Sequence, residues 1–179
     1  HLLDTPTHAF GDGSPFPEPE RLDHDYGADA IFAPLSADSS QLSAVMAAAE
    51  GKDFVLFGPP GTGKSQTIAN MIAQCLASGR TVLFVSQKTA ALEVVQRRLD
   101  EIGLGDYCLA VHSTKAQKSS VLARLKSAWH ERQTPSAAGW AEATSELARC
   151  RDELNGLVAA LHRRRENGLS AYEAFGVVI

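Results

Sequence analysis

The 179-residue sequence has few cysteines and no long apolar run. Its three cysteines, Cys75, Cys108 and Cys150, are far apart and odd in number, which favours free thiols in a reducing compartment over disulfides. No stretch of about 18 apolar residues is present, so no membrane span is expected, and no basic-then-apolar leader opens the chain. Cysteine and histidine show no metal-ligand spacing. These absences predict a cytoplasmic protein that contacts no membrane.

The sequence also lacks a strong overall charge, since the net charge is −4 and the pI is about 5.9. Such a balance does not by itself indicate nucleic-acid binding. The distribution is uneven: residues 1–36 carry seven acids and one arginine, whereas residues 114–165 carry ten Lys/Arg and five acids. The basic region could face a phosphate backbone, but a solvated helical surface is the simpler interpretation of charge alone.

One motif stands out against this background. Residues 58–65, Gly-Pro-Pro-Gly-Thr-Gly-Lys-Ser, match the phosphate-binding P-loop pattern. The apolar run 54–57 before them suits a buried strand, and apolar residues recur at helical spacing across 66–76. A strand, a glycine loop and a helix together favour a real P-loop over a glycine-rich turn with a surface lysine.

The chemistry of the loop explains its residue types. Glycines allow the backbone to approach an anion closely, and the loop N–H groups with the helix N-terminus surround the β-phosphate. Lys64 is expected to reach the β- and γ-phosphates, and the Ser65 hydroxyl is expected to bind Mg²⁺. We therefore predict that Lys64 and Ser65 are the catalytic residues.

Alternating elements predict the fold class. Residues 1–34 are rich in Gly, Pro and Asp and are expected to form an irregular lead-in. A helix is predicted from Asp38 or Ser39, strands at 54–57, 81–86 and 107–111, and further helices between them. Unbroken apolar strands indicate an α/β fold, in which helices cover both faces of a parallel sheet, as in P-loop NTPases.

After residue 113 the pattern becomes helical. Two apolar stripes joined by a short turn predict an antiparallel helical hairpin over 114–165, followed by a truncated continuation at 166–179. The arginines at 163–165 suit the negative end of the second helix, with a phosphate contact as the alternative. The stripes consist of Val121, Leu122, Leu125 and Trp129, and of Trp140, Ala143, Leu147, Cys150, Leu154, Leu157 and Leu161.

Three segments resemble a known family. Residues 58–65 resemble motif I of superfamily 1 helicases, especially the 1B branch, although AAA+ ATPases share Gly-Pro-Pro-Gly-Thr-Gly-Lys. Residues 35–45 are similar to the Q motif of that branch, with Gln41 seventeen residues before Gly58. Residues 82–91 resemble motif Ia, and 106–113 resemble motif Ib more weakly. The segments look most like large, poorly characterised bacterial helicases.

This resemblance implies a partial RecA-like ATP-binding domain at 35–113, with ATP and Mg²⁺ as cofactors. A glutamine amide can donate to and accept from the adenine edge, which is the role implied for Gln41. The hairpin at 114–165 takes the position of the accessory domain called 1B. The implied ATP-binding residues are Gln41, Gly58, Pro59, Pro60, Gly61, Thr62, Gly63, Lys64, Ser65 and Gln66.

The resemblance also implies a partner, single-stranded nucleic acid, with DNA favoured over RNA. Loops at the carboxyl ends of parallel strands share one edge of a sheet, where small polar side chains suit phosphate contacts. The alternative is that Ser86, Lys88 and Ser113 only cap helices. The implied strand-contacting residues are Ser86, Gln87, Lys88, Thr89, His112 and Ser113.

Parts that a complete motor needs are missing from the sequence. Hydrolysis requires an acidic pair at the end of a buried strand, whereas Asp100-Glu101 follows an amphipathic helical pattern and Asp152-Glu153 lies among basic residues. Motif III, an arginine finger and the second RecA-like domain are also missing. We therefore predict an N-terminal fragment that is inactive alone and whose partner is the remainder of its own polypeptide.

Two other functions stay open. The chain could belong to an AAA+-type ATPase that acts on protein, which would bind no single strands in a longer form with intact ATPase. It could also be a non-catalytic P-loop module for assembly or regulation, which would bind nucleotide without strand-stimulated turnover. The spacing of Gln41 and the motif Ia segment favour the helicase.

Overall fold

A computed structural model describes residues 15–59, 61–111, 121–123, 126 and 137–177. The chain divides into two compact units, one of residues 1–26 and 31–134 and the other of residues 27–30 and 135–179. Short 3₁₀ turns occur at Pro19–Arg21, Ala28–Ala30 and Gly105–Tyr107, and residues 121–123 and 126 are helical. The longer helices are α1 (Leu22–Asp25), α2 (Ser39–Glu50), α3 (Lys64–Ala77), α4 (Thr89–Glu101), α5 (Ala137–His162) and α6 (Ala171–Val177).

No β-strand occurs among the described residues, so the predicted parallel sheet is not observed there. The segments predicted as strands, 54–57, 81–86 and 107–111, are extended but pair in no ladder. Their side chains still alternate as in a strand, since Phe84 packs against the core while Leu83 is 87% exposed. A strand requires a neighbour that supplies its ladder partners, and these three segments do not supply them to one another.

The core of the first unit lies between α3 and α4. Ala69 and Ile72 of α3 form a buried cluster with Val95 and Leu99 of α4. These positions recur at helical spacing, so each helix buries one apolar face. Burying an aliphatic side chain of this size contributes about 1.5–3 kcal/mol. Partly buried residues around the cluster are Leu35, Ile68, Leu76, Phe84, Ile102, Leu104 and Cys108.

Helix α2 packs against α3, and local signals set its ends. The carboxylate of Asp38 accepts the backbone N–H of Gln41 at 2.8 Å in a reciprocal capping box, which confirms Asp38 as the cap. Gly51 ends the helix with φ +83, a conformation that favours glycine. Val45 and Met46 of this helix are buried.

The lead-in before residue 35 is tied to α2 by side chains. Leu22 of α1 is buried, the Ser43 hydroxyl donates to the Pro17 carbonyl, and the Tyr26 hydroxyl donates to the Glu50 carboxylate. Burial, reinforced by Glu50, raises the pKa of Tyr26 to about 12. The described part of this segment therefore contains short helical turns with fixed partners.

The second unit contains α5 and α6. A reciprocal capping box begins α6, because the Ser170 hydroxyl accepts the Glu173 N–H and the Glu173 carboxylate accepts the Ser170 N–H. Trp140, Leu147 and Leu154 of the predicted hairpin seam are exposed on α5. Most of the predicted partner helix, including Leu125 and Trp129, lies outside the described residues. Within the described part of the chain, no helix is long and apolar enough to span a membrane.

Candidate nucleotide-binding site

The P-loop joins the extended segment 54–57 to α3, and its glycines have the backbone that the motif requires. Gly61 has φ +86, and Gly63, the N-cap of α3, has φ +75. Residues other than glycine rarely adopt positive φ angles of this kind. A Cβ at Gly58 would lie 2.7 Å from Thr62 Oγ1, and one at Gly63 would lie 3.1 Å from Gln41 Nε2. Pro60, also predicted to bind ATP, lies outside the described residues.

Helix α3 begins at Lys64, so Lys64 and Ser65 occupy its first turn. Their backbone N–H groups have no acceptor within the helix, because the carbonyls four residues earlier precede it. The N–H groups of Gln66 and Thr67 instead donate to the Gly63 carbonyl, each at 2.9 Å. Free N–H groups and the positive helix end make this turn a ready site for an anion.

The Lys64 ammonium is held by carbonyls of its own loop. It donates to the Gly58 carbonyl at 2.5 Å and also to the Pro59 carbonyl. The Thr62 hydroxyl donates to the same Pro59 carbonyl at 2.8 Å, which tightens the turn. A phosphate would offer the ammonium a charged acceptor, and charge-assisted hydrogen bonds are roughly twice as strong as neutral ones.

Ser65 is the residue expected to bind Mg²⁺. Its side chain is half-buried, and in the described ranges its hydroxyl has no hydrogen-bond partner. The described residues contain no group of three or more His, Cys, Asp or Glu that could hold a metal. Mg²⁺ commonly takes only one or two protein ligands and fills its coordination with phosphates and water. A single free hydroxyl beside a phosphate site therefore fits the ion.

Gln41 lies against the P-loop although it is far from it in sequence. Its Nε2 donates to the Thr62 carbonyl at 3.1 Å, and its Oε1 accepts the Asp38 N–H at 3.4 Å. The hydroxyl of Ser40, followed by the N–H of Gln41, lowers the pKa of the Asp38 carboxyl, which stabilises the charged cap. An adenine edge would use the same amide donor and acceptor.

Residues 86–89 form the turn that leads into α4. The Ser86 hydroxyl accepts the Lys88 N–H at 3.3 Å, while Gln87, Lys88 and Thr89 are exposed. Ser86 therefore has a structural contact within the turn, and Lys88 remains accessible. His112 and Ser113, predicted to contact the same ligand, lie outside the described residues.

Sequence reasoning missed the polar contacts of α3 behind the P-loop. Asn70 and Gln74 are buried in this helix, and their amides hydrogen-bond the backbone at Leu35 and Phe32. The side-chain amide of Gln66, which is predicted to bind ATP, donates to the Ser36 carbonyl at 2.6 Å. The signal that could have revealed them is three amide side chains spaced four residues apart on one helix.

Known proteins resemble this chain in short segments. The chain is 51% identical over 47 residues to an uncharacterized ATP-dependent helicase of Mycoplasma genitalium, which covers 26% of the chain and 4% of that protein. It is 48% identical over 62 residues to the homologous Mycoplasma pneumoniae protein, covering 35% of the chain and 6% of that protein. The chain thus spans a small part of these relatives, and no solved structure matches it significantly.

A family model covers far more of the chain than these relatives do. The model for an AAA domain matches residues 36–168, which include the P-loop, α2, α3, α4 and α5. An AAA domain has a P-loop NTPase fold, in agreement with the glycine geometry at the head of α3. The chain therefore belongs to the AAA domain family.

Proposed function

We propose that this chain is the ATP-binding part of a superfamily 1 helicase, of the 1B branch, which couples ATP hydrolysis to movement along single-stranded nucleic acid. The observation that carries the proposal is the P-loop, with Gly61 and Gly63 in left-handed conformations and Lys64 and Ser65 in the first turn of α3. Relatives described as ATP-dependent helicases favour this class over a protein-remodelling ATPase.

Each residue of the site has a distinct task in this proposal. Lys64 exchanges its loop carbonyls for β- and γ-phosphate oxygens, and the N–H groups of the first turn surround the β-phosphate. Ser65 supplies one oxygen to Mg²⁺, which when bound neutralises phosphate charge. We propose that the extended segments 54–57, 81–86 and 107–111 pair into a RecA-like parallel sheet in the complete polypeptide, where a second RecA-like domain completes the cleft.

Nucleotide binding tests the P-loop directly. We expect the 179-residue chain to bind MgADP weakly in calorimetry, since the proposed second RecA-like domain would supply half of the cleft, and Lys64→Ala to abolish that binding. Lys126→Ala, a change of the same type at an exposed helical position, is the matched control. Equal affinity of Lys64→Ala and the unchanged chain would remove the P-loop assignment.

Adenine selectivity is proposed for Gln41. Its amide lies beside the loop and can pair with adenine, whereas guanine presents a mismatched edge. Gln41→Ala should reduce the preference for MgADP over MgGDP by about 1–3 kcal/mol, by analogy with paired base edges. An unchanged preference would exclude Gln41 from base recognition.

The 179-residue chain is proposed to be inactive in ATP hydrolysis. Both candidate acidic pairs lie on helices: Asp100 accepts from Gln96 within α4, and Glu153 pairs with Arg149 within α5. A positioned acid and an added arginine are therefore expected elsewhere on the polypeptide. A phosphate-release assay with Lys64→Ala as the contamination control tests this. Lys64-dependent turnover of about one per second, an ordinary enzymatic rate, would contradict the proposed inactivity.

Contact with a single strand, DNA rather than RNA, is proposed for residues 86–89 together with His112 and Ser113. Exposed Lys88 suits a phosphate. Binding should be weak because few phosphates are contacted, and it should weaken further with salt because each phosphate contact releases counterions. In the full-length protein, Ser86→Ala with Lys88→Ala should lower strand-stimulated ATPase while MgADP binding persists. Stimulation that survives both changes would favour an ATPase acting on protein, with these side chains only capping α4.

A further inference from the structure

Three amide side chains form a row along α3. Gln66, Asn70 and Gln74 are spaced four residues apart, which places them on one face of the helix. Asn70 is 0% exposed and Gln74 is 3% exposed. Buried amides must find hydrogen-bond partners, and in this α3 amide row each side chain has a partner in one short segment, residues 32–36.

The partners are backbone groups. Asn70 pairs with both backbone groups of Leu35, since it accepts the N–H at 3.0 Å and donates to the carbonyl at 2.8 Å. Gln74 accepts the Phe32 N–H at 2.6 Å, and Gln66 donates to the Ser36 carbonyl at 2.6 Å. The side chains thus provide the hydrogen bonds that a neighbouring strand would provide.

The segment held in this way leads directly to Gln41. Ser36 precedes Asp38, the N-cap of α2, by two residues. The first turn of α2 contains Gln41. The Gln41 amide then reaches Thr62, two residues before α3 begins. The contacts therefore close a ring that runs from α3 through 32–36 and the start of α2 to the P-loop, and back to α3.

We propose that the α3 amide row positions Gln41 against the P-loop. Asn70 and Gln74 are positioning residues, since they fix the backbone from which α2 begins and touch no part of the nucleotide site. Gln74 is ten residues from Lys64, about 15 Å along a helix. The consequence for base selectivity rests on the role proposed for Gln41, whereas the positioning itself does not.

The first readout is independent of nucleotide. In an NMR spectrum of the 179-residue chain, Gln41→Ala identifies the side-chain amide signal of Gln41. We expect Asn70→Ala and Gln74→Met each to shift that signal toward the position of a free glutamine and to speed its exchange. Gln96→Met, the same change on α4 where the amide pairs only within its helix, should leave the signal unchanged.

The second readout is the ratio of MgADP to MgGDP affinity. Asn70→Ala should lower the ratio severalfold, and adding it to Gln41→Ala should lower the ratio no further. If Asn70→Ala fails to fold, Gln74→Met, which keeps the volume and loses the acceptor, supplies the measurement. A lower melting temperature with an unmoved Gln41 signal would overturn the positioning role. A shifted signal with an unchanged ratio in Gln41→Ala would support positioning and reject adenine recognition.

Discussion

Helices α3 and α5 both have apolar stripes in the sequence, yet they differ in what stabilises them. Seven of the 14 residues of α3 are buried, and α2 and α4 pack against it. Helix α5 has 26 residues, and none of its described side chains is buried. The proposed nucleotide site lies at the head of the buried helix, where packing against α2 and α4 fixes the direction of the N–H groups.

Helix α5 contacts the turn Ala28–Ala30 and α6, but its ion pairs at Arg149 are local. Arg149 pairs with Glu146 at 2.6 Å and with Glu153 at 2.5 Å, all within two turns and exposed to solvent. Exposed pairs of this kind contribute little to stability. An apolar stripe therefore predicts a helix but not the burial of that helix, because burial depends on a partner surface.

The largest effect should appear when matched truncations are made in the two helices. Ile72→Ala opens a cavity in the α3–α4 core and should cost about 2–5 kcal/mol. Leu154→Ala, at a side chain that is 63% exposed, should change stability by less than about 0.5 kcal/mol. Urea unfolding followed by circular dichroism measures both. Equal losses would show that the α5 stripe is covered in solution.

A smaller effect concerns alkaline pH and the contacts of the lead-in with α2. Burial and Glu50 raise the pKa of Tyr26 to about 12, above the ordinary value near 10. The fold therefore favours the neutral phenol, and this contribution is complete below about pH 10 and lost as the pH rises through about 12.

Unfolding experiments from neutral to alkaline pH test this dependence. Tyr26→Phe should remove part of the alkaline loss of stability, whereas Tyr107→Phe, at an exposed position, should not. If Tyr26→Phe and Tyr107→Phe lose the same stability at alkaline pH, the Tyr26–Glu50 contact does not stabilise the lead-in against α2.

The smallest effect is expected in α5. Arg149 lowers the pKa of the Glu146 carboxyl. Its contribution to helicity is therefore present above the ordinary pKa of glutamate and is lost as the pH falls through the lowered value.

A peptide of residues 137–162 should show helicity that falls on acidification or with added salt. Arg149→Ala should lower its helicity at neutral pH and flatten the acid dependence. A peptide of residues 64–77 should be largely unstructured, because α3 depends on packing. Strong helicity in the shorter peptide would remove the contrast between the two helices.

Much of the site followed from the sequence because it depends on local signals. The glycine spacing predicted a loop that leads into a helix, and Lys64 does begin α3. Asp38 caps α2, and Gly51 ends it. These features involve residues within one turn of each other, so composition and spacing are sufficient to predict them.

The rest depended on partners that are distant in the chain. The apolar run at 81–86 predicted a strand, yet no ladder forms in the described residues because no described neighbour pairs with it. The side-chain amide of Gln66 bonds the Ser36 carbonyl, a contact that its place after the P-loop does not predict. The regular spacing of amide side chains on α3 marks the face that makes such bonds, but no spacing in the sequence identifies the distant segment that receives them.

The P-loop, the start of α3 and the cap of α2 follow from local sequence, since glycine conformations, helix propensity and capping act between near neighbours. Tertiary contacts are needed for Asn70 and Gln74 to hold residues 32–36 and for Gln41 to touch Thr62, and they leave α3 buried while α5 is exposed. Burial and amide pairing require two surfaces together, so no single segment encodes them.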